Sequence, residues 1–318
     1  NYTKYFLLIK EVIKDAQKYV PDMLENIIEK NLECLKQITT PTNSLPLFNG
    51  SVEKDLTNFY EYINHFKIKI KKQKIATGNI FVLKNKKDVI YFEAGDPPQK
   101  NYSSCYQSGP LSFEYFCDDQ KVITNSGFGV NISKKARFLS RFTSSQSALC
   151  LNDTSIVGFE KNNMMNKAYG FLINRDFKIL GLEHINDSNE IRVKAGHNAY
   201  LKNFGCIHNR AISIDKIKNK IVGQDKLMRK SINSRIKYDV RFHLYPGITA
   251  VQTLGGSNLL IQINKNKALL FSSNEKSLKI EKSIFFGGQK VLDNYCIVIS
   301  GIMENNEKTI NWEIVKKI

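Results

Sequence analysis

The stretch NRAISIDKIKNKIVGQD (209–225) holds two short runs, RAISID and KIVGQD, joined by the polar tip KIKN. Apolar and polar residues alternate in the first run, which is the period of a strand with one buried face. A Lys- and Asn-rich tip between two such runs predicts a β-hairpin. The unit recurs in NIFVLKNKKDVIYFEAG (79–95), LSFEYFCDDQKVITNSG (111–127), NLLIQINKNKALLFSSN (258–274) and NYCIVISGIMENNEKTINWEIVKK (294–317). FKIKIKKQKIA (66–76) alternates apolar and basic residues and is expected to open the series as a strand. No helical pattern interrupts residues 69–318, so crossovers for a parallel sheet are missing and a large antiparallel β-sandwich is expected.

Residues 1–68 read differently. Tyr5, Phe6, Ile9, Val12 and Ile13 fall on one helical face, and Leu24, Ile27, Ile28, Leu32 and Leu35 repeat the pattern after Pro21. TTPTNSLPLFNGS (39–51) breaks the period as an irregular loop. A third helix is expected from Ser51 as N-cap, with Leu56, Phe59, Tyr60 and Ile63 facing inward. The fold class is thus α+β, a helical section (1–68) followed by an antiparallel sandwich (69–318).

Lys and Arg number 47 against 30 Asp and Glu, a formal charge of +17. That field suits a polyanionic partner, although a chain rich in Lys, Asn and Ile is also what AT-rich coding produces. No compact Arg block or basic helical stripe points to nucleic acid, and none is expected as a partner. The six cysteines are scattered without a CxxC, which argues that most are reduced core residues. No apolar run is long enough to span a bilayer, and no signal peptide is visible. The chain opens at Asn1 in what reads as helix, as a fragment would. Oligomeric state stays open.

Four motifs in order carry a resemblance: FEAGDPPQKNYSSCYQSGPLSFEYFCDDQKVITNSG (92–127), SRFTSSQSALCLNDTS (140–155), AGHNAYLKNFGCIHNRAISI with IVGQDKL (195–227), and VRFHLYPG (240–247). Together they resemble heparinase II/III family proteins, in the branch common in alphaproteobacteria, and LPLFNG (45–50) resembles the end of that family's helical toroid. The resemblance implies the tail of an α/α toroid followed by a polysaccharide-lyase sandwich. It also implies β-elimination of an acidic, uronate-containing polysaccharide, and a cell-envelope or periplasmic setting, with a cytoplasmic one left open. Such chemistry needs a group to neutralise the uronate carboxylate, a base for the C5 proton and an acid for the leaving oxygen.

Carried over residue by residue, the resemblance makes His197 and Tyr200 the candidate acid/base pair. Asn49, His208, Arg210, Arg241 and His243 become candidate substrate-binding residues. His197, Tyr200, His208 and Arg210 are expected to face a cleft between the two sections. The bland alternatives stand beside these: strand histidines either side of a turn, a solvated strand face for Arg241 and His243, and a plain Asn-Gly turn at Asn49. The family's HxHxDAG-like element reads SSCYQSG, with Ser103, Cys105 and Gln107 at its His, His and Asp positions. The three positions of the family's structural zinc site hold Cys105, Asn125 and Gln146, a poor donor set, and no zinc is expected. That loss favours the alternative of a non-catalytic relative that binds carbohydrate or serves envelope assembly.

Overall fold

A computed structural model describes residues 2–65, 78–160, 171–230 and 235–317. The strand expected at 66–76 and the section boundary at 68/69 lie outside them.

Among the described residues, strands β1 to β16, numbered in chain order, form two eight-stranded sheets with every pairing antiparallel. The first runs β1 (Ile80–Asn85), β2 (Asp88–Glu93), β3 (Phe113–Cys117), β4 (Gln120–Thr124), β10 (Ile236–Leu244), β15 (Leu292–Met303), β14 (Ser277–Phe285), with β5 (Leu149–Leu151) also on β10. The second runs β11 (Thr249–Gln252), β12 (Asn258–Asn264), β13 (Lys267–Ser273), β16 (Glu307–Lys317), β9 (Lys220–Arg229), β8 (Cys206–Asp215), β7 (Glu190–His197), β6 (Ile179–Asn186). The expected hairpin is β8–β9, closing at Asp215↔Lys220. Asp215 shapes its tip by accepting from the backbone N–H groups of Ile217 and Lys218.

The inner faces of the sheets meet in one apolar core. At its centre Trp312 stacks on Phe113 of the first sheet (5.5 Å) and lies parallel to Phe271 of its own (6.3 Å). Gly223 makes room for that ring, since a Cβ there would lie 2.0 Å from a Trp312 carbon. Short helices do occur inside the sandwich section, at Lys134–Leu139 and Leu201–Phe204, too brief for an amphipathic period to reveal them.

The helical section comprises α1 (Tyr2–Asp15), α2 (Asp22–Ile38) and α3 (Thr57–His65), packed around Leu7, Ile28, Leu32 and Ile63. Two expectations are corrected. Helix α3 begins after Ser51, where Asp55 accepts from the backbone N–H of Thr57. In α1 the buried residues are Thr3 and Leu7, while Tyr5, Ile9 and Val12 are exposed. Phe48 joins Val89, Tyr91 and Phe116 in a third apolar cluster, which seats the loop after α2 on the outer face of β2 and β3. Glu53 ties the same seam, placing a carboxylate 3.5 Å from the buried Lys121 ammonium.

Candidate functional site

Strands β7 and β8 pair His197 with His208 and Ala195 with Arg210. Gly205, at φ 63, ends the single helical turn between them in the left-handed region that glycine adopts freely. Burial alternates along β8, so Cys206, His208, Arg210, Ile212 and Ile214 all point into the sandwich. The period that sends Ile212 and Ile214 inward sends His208 and Arg210 with them. His197, Tyr200, His208 and Arg210 are each no more than 1 % exposed. The expectation that this quartet faces a cleft is therefore corrected: it lies within the core.

These polar groups survive burial because, apart from Arg210 Nη2, they are paired with one another or with backbone. The chain starts where the Ala199 N–H donates to His197 Nδ1 (3.3 Å), which leaves His197 Nε2–H to donate to His208 Nδ1 (3.1 Å). His208 Nε2–H then donates to Asp225 Oδ1 (2.7 Å). One tautomer of each neutral imidazole meets all three bonds. Arg210 Nε donates to the same carboxylate oxygen (2.7 Å), and the Trp312 indole N–H takes Oδ2 (3.0 Å). Arg210 also donates to the carbonyls of Leu111 (2.9 Å) and Ser147 (2.8 Å), both from the other layer.

Charge balances as well. Burial pushes the Asp225 carboxyl up, but Arg210 and His208 outweigh it and hold it below the usual carboxylate range. Burial holds both imidazoles below their ordinary value, His197 further aided by His208 and Arg210. One carboxylate, one guanidinium and two neutral rings sum to zero. Tyr200 donates to the Leu149 carbonyl (2.8 Å), and burial keeps its phenol protonated. This arrangement docks the two layers and has no face open to a sugar.

Arg241 and His243 do share the face of β10 opposite Val240, Phe242 and Leu244, but His243 is not solvated. Its Nε2–H donates to the Ser144 carbonyl (3.0 Å), and Nδ1 accepts from the Ser283 hydroxyl (3.0 Å). Burial, then Arg241, bring its pKa down to about 4. Arg241 is engaged with Glu281 at 3.0 Å. Neither is presented as a free substrate-binding group.

Asn49 is the one candidate that stands exposed. It sits at φ 46, with Gly50 at φ 90, so the Asn-Gly turn is real. Its side chain also meets a carboxyl group, the protein's own: Nδ2 donates to Glu93 Oε1 (3.5 Å), while Oδ1 accepts from the Gln107 N–H (3.4 Å). Glu93 ends β2, is 5 % exposed, and also accepts from the Gly95 N–H (3.2 Å). Burial lifts its carboxyl to about 8 despite those two bonds, so near neutral pH it is largely a protonated acid. The sequence signal for Glu93 is an acid that directly follows the apolar run VIYF (89–92).

Gln107 stitches this turn to the sandwich. Its Oε1 accepts from the Gly50 N–H (3.0 Å), and its Nε2 donates to the carbonyls of Gly127 (3.0 Å) and Ser140 (2.9 Å). Gln146 Nε2 donates to the same Ser140 carbonyl (2.8 Å), and Asn125 Oδ1 accepts from the Ser147 N–H (2.8 Å). Ser103 accepts from the Ile173 N–H (3.0 Å). The zinc positions thus offer one exposed thiol, Cys105, and two neutral amides with hydrogen-bonding duties of their own. That donor set does not fit zinc.

Residues 71–313 match the family model described as heparinase II/III-like, C-terminal. The chain belongs to the heparinase II/III-like C-terminal family. No curated protein matches it. Heparan sulfate lyase HepC from Pedobacter heparinus is similar in structure, with TM-score 0.78, 15 % identity, and cover of 99 % of this chain and 50 % of that one. Heparinase III is similar with TM-score 0.68 and 15 % identity, over 99 % of this chain and 53 % of that one. At such identity the likeness speaks for the heparinase-type fold, and the chain spans about half the length of the structures it matches.

Proposed function

We propose that this chain is part of a polysaccharide lyase of heparinase II/III type that cleaves a uronate-containing polysaccharide by β-elimination. The observation that carries the proposal is the exposed Asn49 amide beside a protonated Glu93 at the seam between helices and sandwich. The exposed amide of Asn49, with an uncharged carboxyl behind it that does not repel an anion, can hydrogen-bond a uronate carboxylate and draw off its charge. That makes the C5 proton acidic enough to remove. His197 and Tyr200 are not assigned the acid and base roles, because both are sealed in the core.

That burial favours one other reading, a non-catalytic relative that holds acidic polysaccharide without cleaving it. Incubation of the protein with a panel of uronate-containing polysaccharides separates the two, since elimination creates an unsaturated uronate that absorbs in the ultraviolet. A rise in absorbance that Asn49→Ala abolishes supports the lyase. Binding without any rise across the panel supports the non-catalytic relative and removes the lyase.

A further inference from the structure

We propose that the groove between the C-terminal end of α2 and the β1–β2 hairpin is a second anion-binding site, which holds acidic groups of a polysaccharide away from the Asn49–Glu93 seam. The inference rests on the acidic polysaccharide of the preceding section as ligand. It adds a site that neither the candidate residues nor the family resemblance pointed to.

The groove encloses about 570 Å3, within the range of small-ligand sites. Lys36 reaches it from α2, and Lys84, Lys86 and Lys87 from the hairpin, with Val89 and Tyr91 among its walls. All four lysines are exposed, and among the described residues none forms an ion pair. The acids nearest the hairpin are taken from the other side. Lys316 lies 2.7 Å from Asp88, Lys267 pairs with Asp118, and Asp88 also accepts from the Tyr115 hydroxyl. Among the described lining residues Glu33 and Asp119 carry negative charge, against four ammonium groups.

Lys36 and the backbone that carries the three hairpin lysines are also held in place. Pairing of Asn85 with Asp88 leaves a two-residue turn, with Lys86 at φ 52. Lys36 lies over the Tyr60 ring at 5.3 Å. Tyr91, in the groove wall, donates to the Thr39 carbonyl (2.9 Å) and so fixes the hairpin against the loop after α2. Glu93 stands at the far end of β2 from this hairpin, roughly 17 Å away at strand rise. A linear chain lying on the seam can therefore engage both places with different sugar units. Several ammonium groups over a short span suit a carboxylated or sulfated glycan and give a neutral one no advantage.

The test is equilibrium binding to three labelled probes, a heparin-derived hexasaccharide, an oligogalacturonate and a neutral dextran fragment, at several salt concentrations. The triple variant Lys84→Gln/Lys86→Gln/Lys87→Gln is compared with Lys276→Gln/Lys279→Gln/Lys282→Gln on and beside β14, which removes the same charge elsewhere. The hairpin variant is expected to bind the acidic probes about tenfold more weakly with a flatter salt dependence, the result of losing a few screened ionic contacts. The control is expected to change less than about twofold. Equal losses in both variants, or none in the hairpin variant while wild type binds, overturn the groove and leave the lyase proposal standing. Failure of wild type to bind either acidic probe overturns both.

Discussion

Asp225→Asn tests whether the buried His197–His208–Asp225–Arg210 network is a charge-balanced brace. The substitution keeps the shape and one oxygen but removes the one negative charge that, among the described residues, faces Arg210, which is fully buried and bonded to that carboxylate at 2.7 Å. Breaking a buried ion pair from one side costs about 3–5 kcal/mol. The new amide N–H2 must also oppose one of three donors that now converge there, from His208, Arg210 and Trp312. One such mismatch costs roughly 1–3 kcal/mol, so a total of about 4–8 kcal/mol is expected against a whole-protein stability on the order of 5–15 kcal/mol. Urea denaturation followed by circular dichroism measures it. Arg210→Gln in the same background should restore part of the loss, because it removes the orphaned cation. A cost below about 1 kcal/mol, or strict additivity of the two changes, would refute the brace. The pH profile gives a second check. The folded carboxyl titrates below its unfolded value near 3.9, so its contribution is present above about pH 4 and is lost on acidification. The variant should lack that part of the acid limb.

Glu93 has the opposite sign: its folded pKa of about 8 lies above the unfolded value near 4.3, so its contribution is present at low pH and is lost between about pH 4 and 8. Glu93→Gln should therefore gain stability relative to wild type as pH rises to 9, and equal slopes in the two proteins would count against a protonated Glu93. His243, brought to about 4 by burial, should withdraw stability as pH falls from about 6.5 toward 4, and His243→Gln should flatten that interval in thermal melts at stepped pH. Gly223→Ala should cost more than about 3 kcal/mol in urea denaturation, because the added methyl meets the Trp312 ring, and a loss under about 1 kcal/mol would mean the ring moves freely. Elemental analysis of the purified protein should find no stoichiometric zinc; about one zinc per chain would overturn that expectation.

The sandwich was legible because a buried face imposes period two, and the β8–β9 hairpin shows it residue by residue in its alternating burial. The site was less legible for the same reason. His208 and Arg210 look like chemistry in isolation, yet they occupy the inward phase set by Ile212 and Ile214. Their true partner, Asp225, follows in the next strand and is joined only by the Arg210↔Asp225 register. At Asn49 the Asn-Gly turn is present, and its left-handed backbone aims the amide at the protein's own Glu93, a partner that sequence order alone does not reveal. The α1 pattern misled because Tyr5, Ile9 and Val12 form an apolar face that the described residues do not cover.

The position of Trp312 has a practical consequence. It is the only tryptophan in the chain, and its ring contacts Phe113 and Phe242 from one sheet and Phe271 from the other. Its intrinsic fluorescence therefore reports separation of the two layers and carries no direct signal from α1 to α3. Far-ultraviolet dichroism near the helical minimum weights those helices instead. Melting curves from the two signals that superimpose would mean that helices and sandwich unfold as one cooperative unit. Curves that part company would give the free energy with which the seam at Phe48 and Glu53 joins them.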